Sequence, residues 1–229
     1  MSAGALSKKG DDERGNGMKT MIAIPCMDQV QTEFCRSICN LKRVGSVQHA
    51  FTASSLIYQA RTELAQAAIQ EKPDFVLWLD SDMVFPDTLL IDLMDDMKGR
   101  DMVTAVYHMR RPPYKPVLWS KLRRGLTADD TETETVLEYP EGEIFEVEGC
   151  GFGTVMMRTE VLEAVANKYH TLFEPLPGFG EDLSFCLRAR GCGYKIWCDP
   201  RIQVGHKAST IVSRDTFNAY RDKVGGKLT

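Results

Sequence analysis

The stretch "PDFVLWLDSD", residues 73 to 82, limits the possible fold more than any other part of the chain. From Phe75 to Leu79 no position is polar, so a strand built from it has no face to offer to water. Strands of that kind lie inside a sheet covered on both sides by helices. The run ends in Asp80-Ser81-Asp82, which sets two carboxylates one residue apart. Like charges that close are unfavourable unless something positive sits beside them. A layered α/β domain and a positively charged partner at the strand tip are the two expectations.

The surrounding pattern supports the first. "TMIAIPC" reads as a strand, and "DQVQTEFCRSICNLKR" carries Val30, Phe34, Ile38 and Leu41 on one helical stripe. "SVQHAFT" is a second strand, and "SSLIYQARTELAQAAIQE" a helix opened by serine. "FVLWLD" is followed by "PDTLLIDLMDDMKG", with proline at the helix start and glycine past its end, then by the strand "DMVTAVYH". Repeated βα units predict a mostly parallel sheet with helices on both faces. Ligands of such sheets bind at the carboxyl ends of the strands, where Pro25, Asp80, Asp82 and His108 fall.

A Pro-rich basic segment and an acidic, Thr-rich one follow, read as a small antiparallel excursion that ends at "GCGFG". "GTVMMR" is a strand, "TEVLEAVANK" and "EDLSFCLRARGCG" are helices, and "YKIWCDP" is the last strand. One domain over residues 18–207 is expected, with a disordered tail over 1–17 and loop and tail over 208–229.

Composition removes several classes. A net charge of −4 without a basic stripe argues against nucleic acid. No apolar run approaches the ~20 residues of a membrane-spanning helix. The first residues carry no apolar stretch of the secretory kind. Seven cysteines, an odd number without a Cys-x-x-Cys pair, fit free thiols in a reducing compartment, so a cytoplasmic location is expected. Oligomeric state is not legible.

Asp80-Ser81-Asp82 admits three readings. Asp and Ser initiate turns, although Pro86-Asp87 already supplies the next helix start. The string also resembles the strand-plus-Asp-x-Asp motif of haloacid-dehalogenase-like phosphatases, which would make Asp80 a nucleophile. That family carries the motif on its first strand, and here it is on the third. The remaining reading is a divalent cation held by carboxylates and itself holding a diphosphate.

The order of the segments favours the last. The strand "IAIPC", the arginine-bearing helix "SSLIYQARTELA", "FVLWLDSDMVFP", the basic turn "DMVTAVYHMRRPP", "EGCGFGTVMMRTEVLE" and "GFGEDLSFCLRARGCGYKIWCDPRIQVGHK" follow one another. In that order they resemble family 2 glycosyltransferases and relatives with the GT-A, or nucleotide-diphospho-sugar transferase, fold. The likeness runs from about residue 20 to 207. It departs where the family often has Arg-Asn, since Thr62 follows Arg61.

The resemblance implies a single-domain α/β transferase that moves a sugar from a nucleoside diphosphate to the hydroxyl of a carbohydrate or other acceptor. It implies Mn²⁺ or Mg²⁺ on the diphosphate, with Asp82 as direct ligand, Asp80 deeper toward the ribose or a metal-bound water, and His206 completing the set. It places Pro25, Cys26, Arg61 and Ser81 on the donor. Asp182 becomes the base of an inverting reaction and Glu181 a contact for acceptor hydroxyls. Gly151 and Gly153 would let backbone approach the sugar, and Arg110 would steady phosphate or acceptor. A non-catalytic sugar-nucleotide-binding module on the same fold is the alternative of a different class.

Overall fold

The structure is a computed structural model that describes residues 17–27, 29–125, 130–208 and 211–226. Its strands are β1 (Lys19–Cys26), β2 (Ser46–Ala53), β3 (Phe75–Leu79), β4 (Met83–Val84), β5 (Met102–Val106), β6 (Leu118–Arg123) and β7 (Glu132–Thr135). After these come β8 (Phe145–Val147), β9 (Gly149–Cys150), β10 (Thr154–Arg158), β11 (Ile196–Gln203), β12 (Gly205–Lys207) and β13 (Ile211–Val212). The helices are α1 (Thr32–Asn40), α2 (Ile57–Glu71), α3 (Leu89–Asp96), α4 (Thr159–Tyr169), α5 (Glu181–Gly191) and α6 (Arg214–Lys223).

A seven-stranded sheet in the order β2-β1-β3-β10-β5-β11-β8 forms the centre. Its helices cover both faces, as the fully apolar β3 requires. Alternate residues of β1 show the division. Met21 and Ala23 face a core built with Leu64 and Ala68 of α2, Val161 and Val165 of α4, and Phe185 of α5. Ile22 and Ile24 face the other, with Phe34 of α1 and Leu89, Leu90 and Leu93 of α3. Every residue of β3 is buried, four of them completely.

The sheet is mostly parallel, as expected, with β10 antiparallel to both β3 and β5, between which it lies, and β8 antiparallel to β11 at the edge. The amino end of β10, with Gly153 just before it, therefore meets the carboxyl tip of β3. Contrary to expectation, the segment read as terminal loop and tail contains β13 and α6. α6 buries only Phe217, too little apolar periodicity to announce a helix. Its start is fixed by Ser213, whose N–H donates to the Thr216 hydroxyl at 3.3 Å. Of the expected tail over 1–17, all but Gly17 lies outside the described residues. Among the described residues no helix is long and apolar enough to cross a membrane.

Away from the strand tips, a pair of acids joins α3 to β11. Arg201 donates to Asp199 at 2.7 Å and to Asp96 at 3.2 Å, and the second carboxyl oxygen of Asp96 is buried without a donor. Burial pushes Asp96 up to about 7, helped by a hydrogen bond to Asp199 and by its charge, against Arg201 and Arg100. Burial would raise Asp199 too, but Arg201 and the hydrogen bond from Asp96 hold it below its usual range. The folded protein thus keeps a proton on Asp96 that the unfolded chain releases near pH 4. Between about pH 4 and 7 the folded state binds more protons, so stability from this pair falls as pH rises. Urea midpoints should drop from pH 5 to pH 8, and Asp96→Asn, which supplies a permanent donor, should flatten that fall. An unchanged slope in the variant would remove the pair as its source.

Candidate functional site

The tip of β3 is held by backbone from three directions. The Asp80 N–H donates to the Gly153 carbonyl at 3.1 Å, and the Met83 N–H closes a tight turn onto Asp80 at 3.1 Å. The Ser81 carbonyl accepts from Gln31 ahead of α1, and the Asp82 carbonyl accepts from Lys207 of β12 at 2.8 Å. Through the antiparallel pairing of β12 with β4, His206 lies opposite Met83. The proximity of His206 to Asp82, far apart in the chain, is thus a consequence of strand register.

The question posed by the two acids has two separate answers. Arg61 lies on the buried face of α2 and is only 2% exposed. It donates to Asp80 at 2.8 Å and to Glu181 at 3.3 Å, and its guanidinium lies 5.4 Å from the ring centre of Phe152. Asp82 instead receives Arg110 at 2.7 Å. Burial alone would lower the pKa of Arg61, but the charges of Asp80, Glu181 and Asp182 hold it above its ordinary value. Burial raises Asp80 despite Arg61, with the charge of Asp82 acting in the same direction. Asp82 stays below the usual range because the hydrogen bond and charge of His206, with Arg110, outweigh burial.

Asp182 and Glu181 enter from α5, whose first turn they form after Gly180. The amino end of a helix favours anions there. Asp182 accepts from the Leu183 N–H at 2.7 Å, yet burial, reinforced by the charge of Glu181, pushes it up to about 6. A carboxylate of that kind is ionised at neutral pH and still a competent proton acceptor.

These groups border one cleft of about 400 Å³. Pro25, Cys26, Arg61, Asp80, Ser81, Asp82, Arg110, Glu181, Asp182 and His206 all reach it, so the structure brings together residues contributed by β1, α2, the β3 tip, the turn after β5, α5 and β12. Tyr107, Phe152 and the Ser54-Ser55 turn also line it. None of these was singled out from the sequence, where each looks like an ordinary strand or turn residue.

Two expectations need correction. Gly151 and Gly153 are not open to a sugar. A Cβ on Gly151 would meet the Tyr107 hydroxyl at 2.0 Å, and one on Gly153 the Tyr107 ring at 2.8 Å. The glycines admit the protein's own phenol, which accepts from the Gly153 N–H at 3.1 Å. Nor do Asp80, Asp82 and His206 form one metal-ready cluster, since no group of three such side chains occurs among the described residues. Asp80 is engaged by Arg61, which leaves Asp82 and His206, 3.5 Å apart.

That remaining pair fits a divalent cation arriving with its ligand. His206 Nδ1 lies 2.9 Å from the His108 carbonyl, which can only accept, so Nδ1 carries a proton and Nε2 is the nitrogen turned to Asp82. A cation that replaced the proton on Nε2 would meet that nitrogen's lone pair beside the Asp82 carboxylate. One carboxylate and one imidazole leave room for phosphate oxygens and water, the usual way Mg²⁺ is shared between protein and substrate. Arg110 would have to leave the Asp82 oxygen that it now contacts.

No protein-family model and no curated protein matches the chain. Solved structures do. A197 from STIV is similar with a TM-score of 0.62 and 18% identity, over 87% of this chain and 92% of that one. GalNAc-T7, solved with UDP, GalNAc and Mn²⁺, is similar with a TM-score of 0.56 and 12% identity, over 82% of this chain. The match spans only 43% of that GalNAc-T7 chain. Likeness at this identity establishes the architecture alone: the chain has a GT-A-type fold.

Proposed function

We propose that the protein is a metal-dependent, inverting glycosyltransferase that moves a sugar from a nucleoside diphosphate to an acceptor hydroxyl. One observation carries the reading: Asp82 with His206, and Asp182 with Glu181, converge on the same cleft at the tip of β3. The GT-A fold, and a structural neighbour solved with UDP and Mn²⁺, support it.

In this reading the carboxyl ends of β1 and β2, with Pro25, Cys26 and the Ser54-Ser55 turn, receive the nucleoside. Arg61 orders Asp80 and keeps its own Nη1, buried and without a partner, at the cleft. Asp82 and His206 would hold Mn²⁺ or Mg²⁺, which when bound neutralises the departing diphosphate. Asp182 takes the proton of the acceptor hydroxyl as that oxygen attacks the anomeric carbon and the bond to diphosphate breaks. Glu181, paired with Arg61, hydrogen-bonds other acceptor hydroxyls. A phosphatase with Asp80 as nucleophile gains no support, because Arg61 binds that carboxylate.

Calorimetric titration of a nucleoside diphosphate panel, with and without Mn²⁺, tests the proposal. Binding to at least one nucleotide should depend on the metal, and Asp82→Ala should weaken that binding roughly tenfold or more while leaving the melting temperature near wild type. Metal-independent or absent binding across the panel would overturn it. Donor binding without any turnover would favour the sugar-nucleotide-binding module.

A further inference from the structure

The turn after β5 is more ordered than a solvated basic loop has reason to be. The Val117 N–H donates to the Tyr107 carbonyl at 3.0 Å, Met109 to Lys115 at 2.9 Å, and Tyr114 to Arg111 at 2.9 Å. These bonds close a hairpin with Arg110 and Arg111 near its tip. Tyr114 adopts φ of +56°, unfavourable for a residue with a bulky side chain. The hairpin is also braced against α6, where Tyr114 meets Tyr220 at 5.4 Å and His108 stacks on Phe217 at 5.2 Å. The backbone beneath both arginines is therefore fixed.

A second cavity of about 670 Å³ opens beneath this hairpin. Tyr107, Met109, Val117 and Ala208 give it an apolar side, Arg110 and Arg111 a cationic one, and among the described residues no carboxylate lines it. It shares Tyr107, Arg110 and His206 with the acid-lined cleft, so the two spaces adjoin across these side chains. Without metal or nucleotide, Arg110 is paired with Asp82 at 2.7 Å. The Arg111 side chain has no ion pair among the described residues, which leaves it the cation available to a ligand here.

We propose that this second cavity binds the acceptor, and that the acceptor carries a phosphate-type anion met by Arg111 while its apolar part lies against Tyr107, Met109 and Val117. Calling the ligand an acceptor rests on the transferase reading; the anion site itself does not. A guanidinium matches the paired oxygens of a phosphate monoester, and the apolar side rewards an adjoining hydrophobic group. The size suits a small molecule rather than a single ion.

Phenyl phosphate, inorganic phosphate and phenol, titrated in the absence of nucleotide, separate the contributions. Phenyl phosphate should bind more tightly than either fragment. Arg111→Gln should weaken it roughly tenfold or more, Arg111→Lys, which keeps the charge but loses the fork, should recover only part of that loss, and nucleoside diphosphate binding should stay within about twofold in both variants. The proposal is overturned if phenyl phosphate binds no better than phenol, or if Arg111→Gln leaves it unchanged. It is equally overturned if the nucleoside diphosphate loses as much as phenyl phosphate does, since Arg111 would then serve the donor. Arg111-dependent binding of phenyl phosphate in a protein that binds no nucleotide would keep the anion site and remove only the transferase reading.

Discussion

Arg61→Met should destabilise the fold by about 3 kcal/mol, the lower end of what removing one member of a buried ion pair costs. The side chain is 2% exposed and holds both Asp80 and Glu181. Methionine preserves much of the apolar stem, so the loss measured is mainly that of charge. Asp80 and Glu181 border the cleft and recover some hydration, which is why the lower end applies. Urea denaturation of the variant gives the number. Adding Asp80→Asn should restore part of the loss, because the carboxylate left without its partner is then gone. A single variant within about 0.5 kcal/mol of wild type would show that solvent, not Arg61, compensates the acids.

The same arginine shows where a sequence stops being readable. That Asp80 and Asp82 need positive charge follows from their spacing alone. Which groups supply it does not, since Arg61 stands 19 positions before Asp80 and Arg110 stands 28 after Asp82, each on a different element. A cation was the expected answer to both acids, and the protein meets each with a guanidinium of its own.

β3 was legible because a run without any polar position has few places to go. The antiparallel direction of β10 was not, because its residues alternate no differently in either direction and only its long connections decide it. Asp96 and Asp199 likewise look like a helix-end acid and a strand-end acid until the fold joins them. The glycines of "GCGFG" do mark a close approach, but by Tyr107, 46 residues before Gly153, and not by a sugar.

Asp182→Asn should reduce sugar transfer by about 10²–10⁴-fold, the usual contribution of a positioned proton acceptor, with little change in donor affinity. Asparagine keeps the size of the side chain and can still accept from the Leu183 N–H, so the start of α5 should survive. In the unmodified protein the rate should rise with pH through about 6, where Asp182 loses its proton, because only the ionised carboxylate can receive one from the acceptor. That acid limb should vanish in the variant, whose residual rate has no carboxylate at this position to titrate. Donor binding measured at the same pH values separates the chemical step from any change in occupancy. Equal turnover in Asp182→Asn, or an identical pH profile, would take Asp182 out of the proton transfer. In that case the raised pKa would reflect nothing more than two acids crowded into one buried helix turn.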